Sequence, residues 1–269
     1  MQKESFVEKV VFRLVRKHIA GPTMSSAIGK AKQFNARGLP VSITFISREP
    51  KDSTKANYIA NTYMQLIREL KRMGLSACIH MPLEQIGSSL SEDVCNKNMD
   101  AINALSSKHN IFTWFEVHDL YKEYNFINAI ANRTDVGLAF SDVTNALKFI
   151  KKNRKARSIK VMCNGENVKH DLKYVDKIKQ ILDSSKSTVL LSLGDKDIDK
   201  LLKVWPKYKK SLIFEFQLGY SSKKINRLLK KGARLSMHIP FGKDWASYAA
   251  NNVPEGYMRK LASNLLNSE

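Results

Sequence analysis

Three short apolar runs in this 269-residue chain each carry a histidine two residues from another polar or reactive side chain. "ACIHMP" sets Cys78 beside His80, "FTWFEVHD" sets Glu116 beside His118 and adds Asp119, and "LSMHIP" sets Ser236 beside His238. In an extended strand a spacing of two puts both members on one face. The run "IFEFQ" alternates Glu215 and Gln217 with Phe214 and Phe216, and "SIKVMC" holds Lys160 among apolar neighbours. Imidazoles beside carboxylates are the equipment of general acid–base chemistry, and the same types suit zinc or manganese. A charge buried on a strand is costly unless it is paired or hydrogen-bonded, so several converging on one face mark a site. Taken singly, each has a plainer role. Glu215 can be the partner of Lys160, and a strand histidine can be a satisfied core residue.

The elements that must position these groups repeat as one unit from Gly38 onward: a short β-branched run, then an amphipathic segment ending at a turn. The runs Leu39–Ile46, Leu75–Met81, Ile111–Val117, Val136–Ser141, Ser158–Cys163, Thr188–Ser192, Leu212–Gln217 and Ala233–Pro240 read as strands. Between them Thr54–Arg72, Glu92–Lys108, Tyr121–Asn132, Val143–Lys155, Val168–Ser184, Lys196–Trp205 and Lys223–Lys230 read as helices, and Trp245–Leu266 follows the last strand. Eight such units in about 230 residues predict an α/β fold, a (β/α)8 TIM-like barrel. A doubly wound open sheet is the rival, but "FISREPKDS" after the first strand has no GxGxxG turn. Two helices, Glu4–Lys17 and Thr23–Arg37, precede the barrel, the second with Thr23 as its cap and Gly38 as its stop. The expected organisation is a single domain over residues 1–269, with N-terminal helices in 1–37 and the barrel and a final helix across its mouth in 38–269.

On this fold the strands' C-terminal ends gather the functional groups. That rim is expected to hold His80, Glu116, His118, Asp119, Ser141, Lys160, Cys163, Asp195, Gln217 and His238. The composition narrows the setting. Hydrophobic residues make up 43% of the chain, enough for a core, with no run of eighteen apolar residues to span a bilayer. The polar start, Met1 to Glu8, is unlike a secretory signal, and the three scattered cysteines suit reduced thiols in a cytoplasm. The formal charge of +20 comes largely from lysines interleaved with apolar residues, as in "KYVDKIKQIL". That is the pattern of solvated helix faces. Without a zinc-finger, RNA-recognition or arginine-rich signature, no specific nucleic-acid partner is expected.

Several stretches then resemble the proline dehydrogenase family, in order from about His18 to Glu255. "KHIAGPTMSSAIGKAKQFNARGLPVSITFISRE" resembles the family's opening helix and first strand, and "GLSACIHMPLEQIG", "FTWFEVHD" and "VGLAFS" the next three strands. "IFEFQLGY" resembles the seventh strand, and "ARLSMHIPFGKDWASYAANNVPE" the closing strand, Pro–aromatic–Gly turn and tryptophan-bearing helix. The resemblance implies oxidation of proline, or a related imino acid, at the ring C–N bond, with hydride passing to non-covalent FAD. It also implies a small-molecule substrate, and a cytoplasmic protein or one peripheral to the membrane with a quinone contact.

Carried over by position, the implied catalytic residues are His80, Glu116 and His238, which stand where the family has lysine, aspartate and tyrosine. The implied substrate residues are Asn251, Asn252 and Glu255. The two asparagines occupy the places of adjacent arginines that clamp the substrate carboxylate, and Glu255 is retained. The implied cofactor residues are Ser141, Lys160 and Gln217, the first two replacing glutamine and arginine. The segment after the fifth strand reads "CNGE", and Leu193 and Gly194 replace a Thr-His pair. Three functions follow: a flavin-dependent oxidoreductase of this family; a retired member that binds a small molecule or partner without flavin; and a metal-assisted hydrolase using His80, Glu116, His118 and His238. The last lacks any compact ligand motif, so no metal is expected.

Overall fold

The structure, a computed structural model, describes residues 17–120, 123–131, 136–153, 158–162, 172–184, 188–193, 202–203 and 205–244. Eight parallel strands close in chain order into a barrel: β1 Val41–Phe45, β2 Ala77–Pro82, β3 Thr113–Val117, β4 Val136–Phe140, β5 Ser158–Met162, β6 Thr188–Leu193, β7 Leu212–Gln217 and β8 Arg234–Phe241. Strand β8 returns to β1 over five residue pairs, from Val41 with Met237 to Phe45 with Phe241. Around the barrel run α1 Met24–Asn35, α2 Ser53–Arg72, α3 Glu92–His109, α4 Tyr124–Ala131, α5 Val143–Lys152, α6 Leu172–Ser184 and α7 Ser222–Lys230.

Local chemistry sets the ends of these elements. Thr23, Asp52, Ser91 and Asp142 each accept a backbone N–H of the first turn of the helix that follows. Helix α3 ends one residue beyond the expected Lys108 because Asn110 adopts the left-handed conformation, φ 56°. Strand β1 begins at Val41 rather than Leu39, because Pro40 has no N–H to give a ladder. The helix expected over Lys196–Trp205 does not run to Trp205 as drawn. Trp205 instead opens a 3-10 turn, Trp205–Tyr208, and residues 194–201 lie outside the described residues. The expected helices Glu4–Lys17 and Trp245–Leu266 likewise fall almost wholly outside them.

Strand alternation sorts the side chains into two populations. Val41, Ile43, Ile79, Phe115, Leu138, Ile159, Val161, Leu191, Phe214, Phe216, Met237 and Ile239 point outward into the core shared with the helices. The inward set rises in two tiers. A lower tier, Cys78, Trp114, Leu190 and Ile213, packs together inside the barrel. Two residues further along the same strands come His80, Glu116, Ser192 and Glu215, so the interior changes from apolar to polar within one pleat. Gly137 makes the lower tier possible, since a Cβ there would lie 2.6 Å from Trp114 Cε3. Helix last turns carry Lys32, Lys71 and Arg72, Lys108, Lys151 and Lys152, and Arg227 and Lys230. These cations complement the helix dipoles and gather part of the positive charge at the barrel's N-terminal end. Among the described residues no helix is long and apolar enough to cross a membrane.

Candidate functional site

At the strands' C-terminal ends the barrel opens into a pocket of about 260 Å³. His80, Glu116, His118, Lys160, Gln217 and His238 all line it, joined by Thr44, Gln85, Ser192 and Glu215. The loops that frame it are tied down. The hydroxyl of Tyr63 on α2, fully buried, lies 3.1 Å from Gln85 Oε1 and 3.3 and 3.4 Å from the Phe45 and His80 carbonyls, joining the ends of β1 and β2. Glu123 accepts the backbone N–H groups of His118 and Asp119 at 2.9 and 3.2 Å, and the Ser88 hydroxyl at 3.1 Å. It thereby fixes the turn that carries His118. The Arg48 side chain and backbone N–H both meet Asp244, which links the loop after β1 to the turn after β8.

A chain of charge contacts crosses the pocket floor. Lys160 Nζ lies 2.6 Å from Glu215 Oε2, with both side chains fully buried. The same ammonium donates to His80 Nδ1 at 3.2 Å. His80 Nε2 sits 3.1 Å from Glu116 Oε2, a close contact poorly aligned with the ring N–H. Glu116 Oε1 is met at 3.2 Å by Nε2 of His118, whose side chain is 39% exposed and also approaches Glu84 at 3.8 Å. His238 stacks edge-on against His80, ring centroids 5.3 Å apart. Its Nδ1 is buried, 3.8 Å from Glu215, and has no hydrogen-bond partner among the described residues.

These contacts separate the protonation states. Burial alone would raise the pKa of Glu116, but hydrogen bonds and charge from His118 and His80 outweigh it and hold the carboxyl well below its usual range. His118 gains from the hydrogen bond with Glu116 and is pushed up to about 9. Burial, reinforced by Lys160, lowers His80 and lowers His238 further. At neutral pH the site therefore holds an anionic Glu116 and a cationic His118 beside two neutral imidazoles. Along the described wall three positive side chains, Arg48, His118 and Lys160, face three negative ones, Glu116, Glu215 and Asp244. Each of the three positive groups contacts one of the three negative ones.

Other expected site residues lie elsewhere. Ser141, half-buried just past β4, is not among the pocket's lining residues, and Asp119 is turned to the Glu123 turn. Lys160 lines the pocket floor, its ammonium 2.6 Å from Glu215 and 3.2 Å from His80. Asn251, Asn252, Glu255, Cys163 and Asp195 lie outside the described residues. Among the described residues no group of three or more His, Cys, Asp or Glu side chains is placed to hold a metal ion. Thr44 and Ser192 were legible from alternation on β1 and β6. Tyr63, Gln85 and Glu123 left no signal of their kind, because they act from helices and turns.

Of the three residues the resemblance implies for a flavin, Lys160 and Gln217 line the pocket. Gln217 and His238, paired across β7 and β8, both line the pocket, and the unpartnered Nδ1 of His238 calls for a polar ligand atom.

No family model matches the chain. Among curated proteins it is 24% identical over 268 residues to Proline dehydrogenase 1 of Bacillus subtilis subsp. natto, covering 89% of this chain and 86% of that one. It is 23% identical over 266 residues to Proline dehydrogenase 2 of Bacillus subtilis, covering 91% and 85%. The barrel superposes on proline utilization A from Bdellovibrio bacteriovorus inactivated by N-propargylglycine with a TM-score of 0.71 at 13% identity, over 88% of this chain and 32% of that one. For proline utilization A from Corynebacterium freiburgense the TM-score is 0.66 at 10% identity, over 95% and 33%. The chain thus spans about a third of those larger proteins. The chain is thus similar in sequence, over about nine-tenths of its length, to curated proline dehydrogenases, and in fold to the barrels of proline utilization A proteins.

Proposed function

We propose that this chain is a flavin-dependent oxidoreductase of the proline dehydrogenase type, acting on proline or a related cyclic imino acid. The observation that carries the reading is Glu116. It is a buried carboxylate held ionised by two imidazoles, at the strand position where the family resemblance puts a substrate-facing acid. A secondary ammonium is the natural partner for such an anion, and the low-dielectric pocket strengthens the attraction. That ammonium must shed one proton before its nitrogen lone pair can expel hydride from the neighbouring carbon. That proton would leave to solvent at the open rim, because burial holds His238 well below the ordinary imidazole range and makes it a weak base. Gln217 and His238 would face the flavin ring system, which when bound supplies the hydride acceptor. Of the positions after β5 and β6 that the resemblance assigns to the rest of the dinucleotide, Leu193 ends β6 and the others fall in residues 163–171 and 194–201, outside those described.

The test is the visible spectrum of the purified protein, before and after addition of FAD, followed by anaerobic proline. Flavin bands that bleach with proline are the expected result. A protein that stays colourless with FAD in excess defeats the proposal and leaves the retired, flavin-free barrel.

A further inference from the structure

Lys160 has a second property that substrate binding does not use. An ammonium offers only protons, so the ring atom it faces must present a lone pair. That atom is His80 Nδ1, at 3.2 Å. A neutral imidazole has one proton, which must then sit on Nε2. Nε2 is the atom 3.1 Å from Glu116 Oε2, and a carboxylate can only accept. The Lys160 contact therefore sets the tautomer, and the poorly aligned approach of Nε2 to Glu116 is compatible with it. Glu215 holds Lys160 in this pose from two strands away, at 2.6 Å, with neither side chain exposed. Leu190, register partner of Lys160 on β6, belongs to the apolar tier.

We propose that Lys160 and Glu215 are positioning residues that lock His80 in its Nε2–H tautomer, so that Glu116 meets the substrate as an anion already braced on one oxygen. The consequence for substrate rests on the oxidoreductase reading; the lock itself does not. The charged and titratable groups around His80 come from every neighbouring wall: Glu116 on β3, Lys160 on β5, Glu215 on β7 and His238 on β8, with the Tyr63 hydroxyl on its backbone carbonyl. Burial and the Lys160 ammonium together favour the neutral ring, in keeping with the lowered pKa of His80.

The experiment is nitrogen-15 NMR of the full chain with labelled histidine, with no cofactor added. Its six histidines are assigned by single substitution. The expected spectrum shows His80 with a protonated Nε2 and a bare Nδ1, unchanged between pH 6 and 8. The double variant Lys160→Met with Glu215→Gln removes the lock without stranding a charge. It should shift His80 toward a mixture of tautomers. A wild-type His80 protonated on Nδ1, or carrying both protons at pH 7, overturns the proposal. So does a folded double variant with an unchanged ring. If the double variant does not fold, the wild-type spectrum alone decides. A locked His80 in a protein that never takes up FAD keeps the lock and removes the flavin reading. FAD uptake with the wrong tautomer does the reverse.

Discussion

Removing Lys160 alone should be among the most damaging single changes in the barrel. The Lys160→Met side chain keeps much of the volume but leaves Glu215, fully buried, without the ammonium 2.6 Å away. At that distance the pair's attraction is on the order of 6 kcal/mol with an effective dielectric of about 20, before the cost of desolvating both ions. Stripping one partner exposes that desolvation cost, which for buried pairs amounts to about 3–5 kcal/mol. Against a total stability of roughly 5–15 kcal/mol, that is a large fraction. In a barrel of this size it corresponds to a melting temperature lowered by roughly 6–20 °C. Glu215→Gln should cost a similar amount for the opposite reason, since it strands the ammonium. The double variant, Lys160→Met with Glu215→Gln, should lie within about 2 kcal/mol of the parent, because two neutral groups replace two charges. The assay is urea denaturation of all four proteins at one pH, read as a double-mutant cycle with a coupling energy of about 2 kcal/mol or more. Single variants costing under about 1 kcal/mol, or a double variant as damaged as the sum of its singles, would refute the reasoning.

Three further outcomes are expected. The pKa of His118 is raised from 6.5 to about 9 by Glu116, so its contribution to stability should be complete below about 6.5 and lost as pH rises through about 9; His118→Gln should flatten that loss in denaturation series run between pH 6 and 10, and an unchanged slope would count against the contact. Gly137→Ala should destabilise the fold by about 1–3 kcal/mol, because the new methyl enters the space of the Trp114 indole; a melting temperature equal to the parent's would mean the indole moves freely. Asn251→Arg with Asn252→Arg should raise kcat/KM for proline by at least tenfold if FAD is bound, since each charge-assisted hydrogen bond to a carboxylate is worth about 1.5–3 kcal/mol; no gain in a flavin-loaded protein would mean the substrate carboxylate is not held by that segment.

The barrel was legible because its strands obey a period of two over a repeated unit, and inward Glu116, Glu215 and His238 could be read off that period alone. The convergence of His80, Lys160 and His238 followed from closure of the sheet once the strand order was known. What alternation does not encode is pairing across the interior. Lys160 was readable as inward and Glu215 as its candidate partner, but the choice between that pairing and an incoming anion depends on barrel stagger. Ser141 follows the last strand residue of β4, where the period of two no longer governs direction, and it is not among the residues lining the pocket. The braces Tyr63 and Glu123 are invisible to strand patterns, because a helix and a turn carry them.

The indole of Trp114, seated over Gly137, acts as a bulkhead. Above it lies the polar pocket; below it a separate cavity of about 590 Å³ opens at the opposite end, lined by Cys78, Phe112, Ser158, Thr188, Ile213 and Arg234, and the two share no lining residue. Among the described residues the barrel axis is thus a well divided by the Trp114 tier, and the approach to Glu116 that the pocket offers is from the rim.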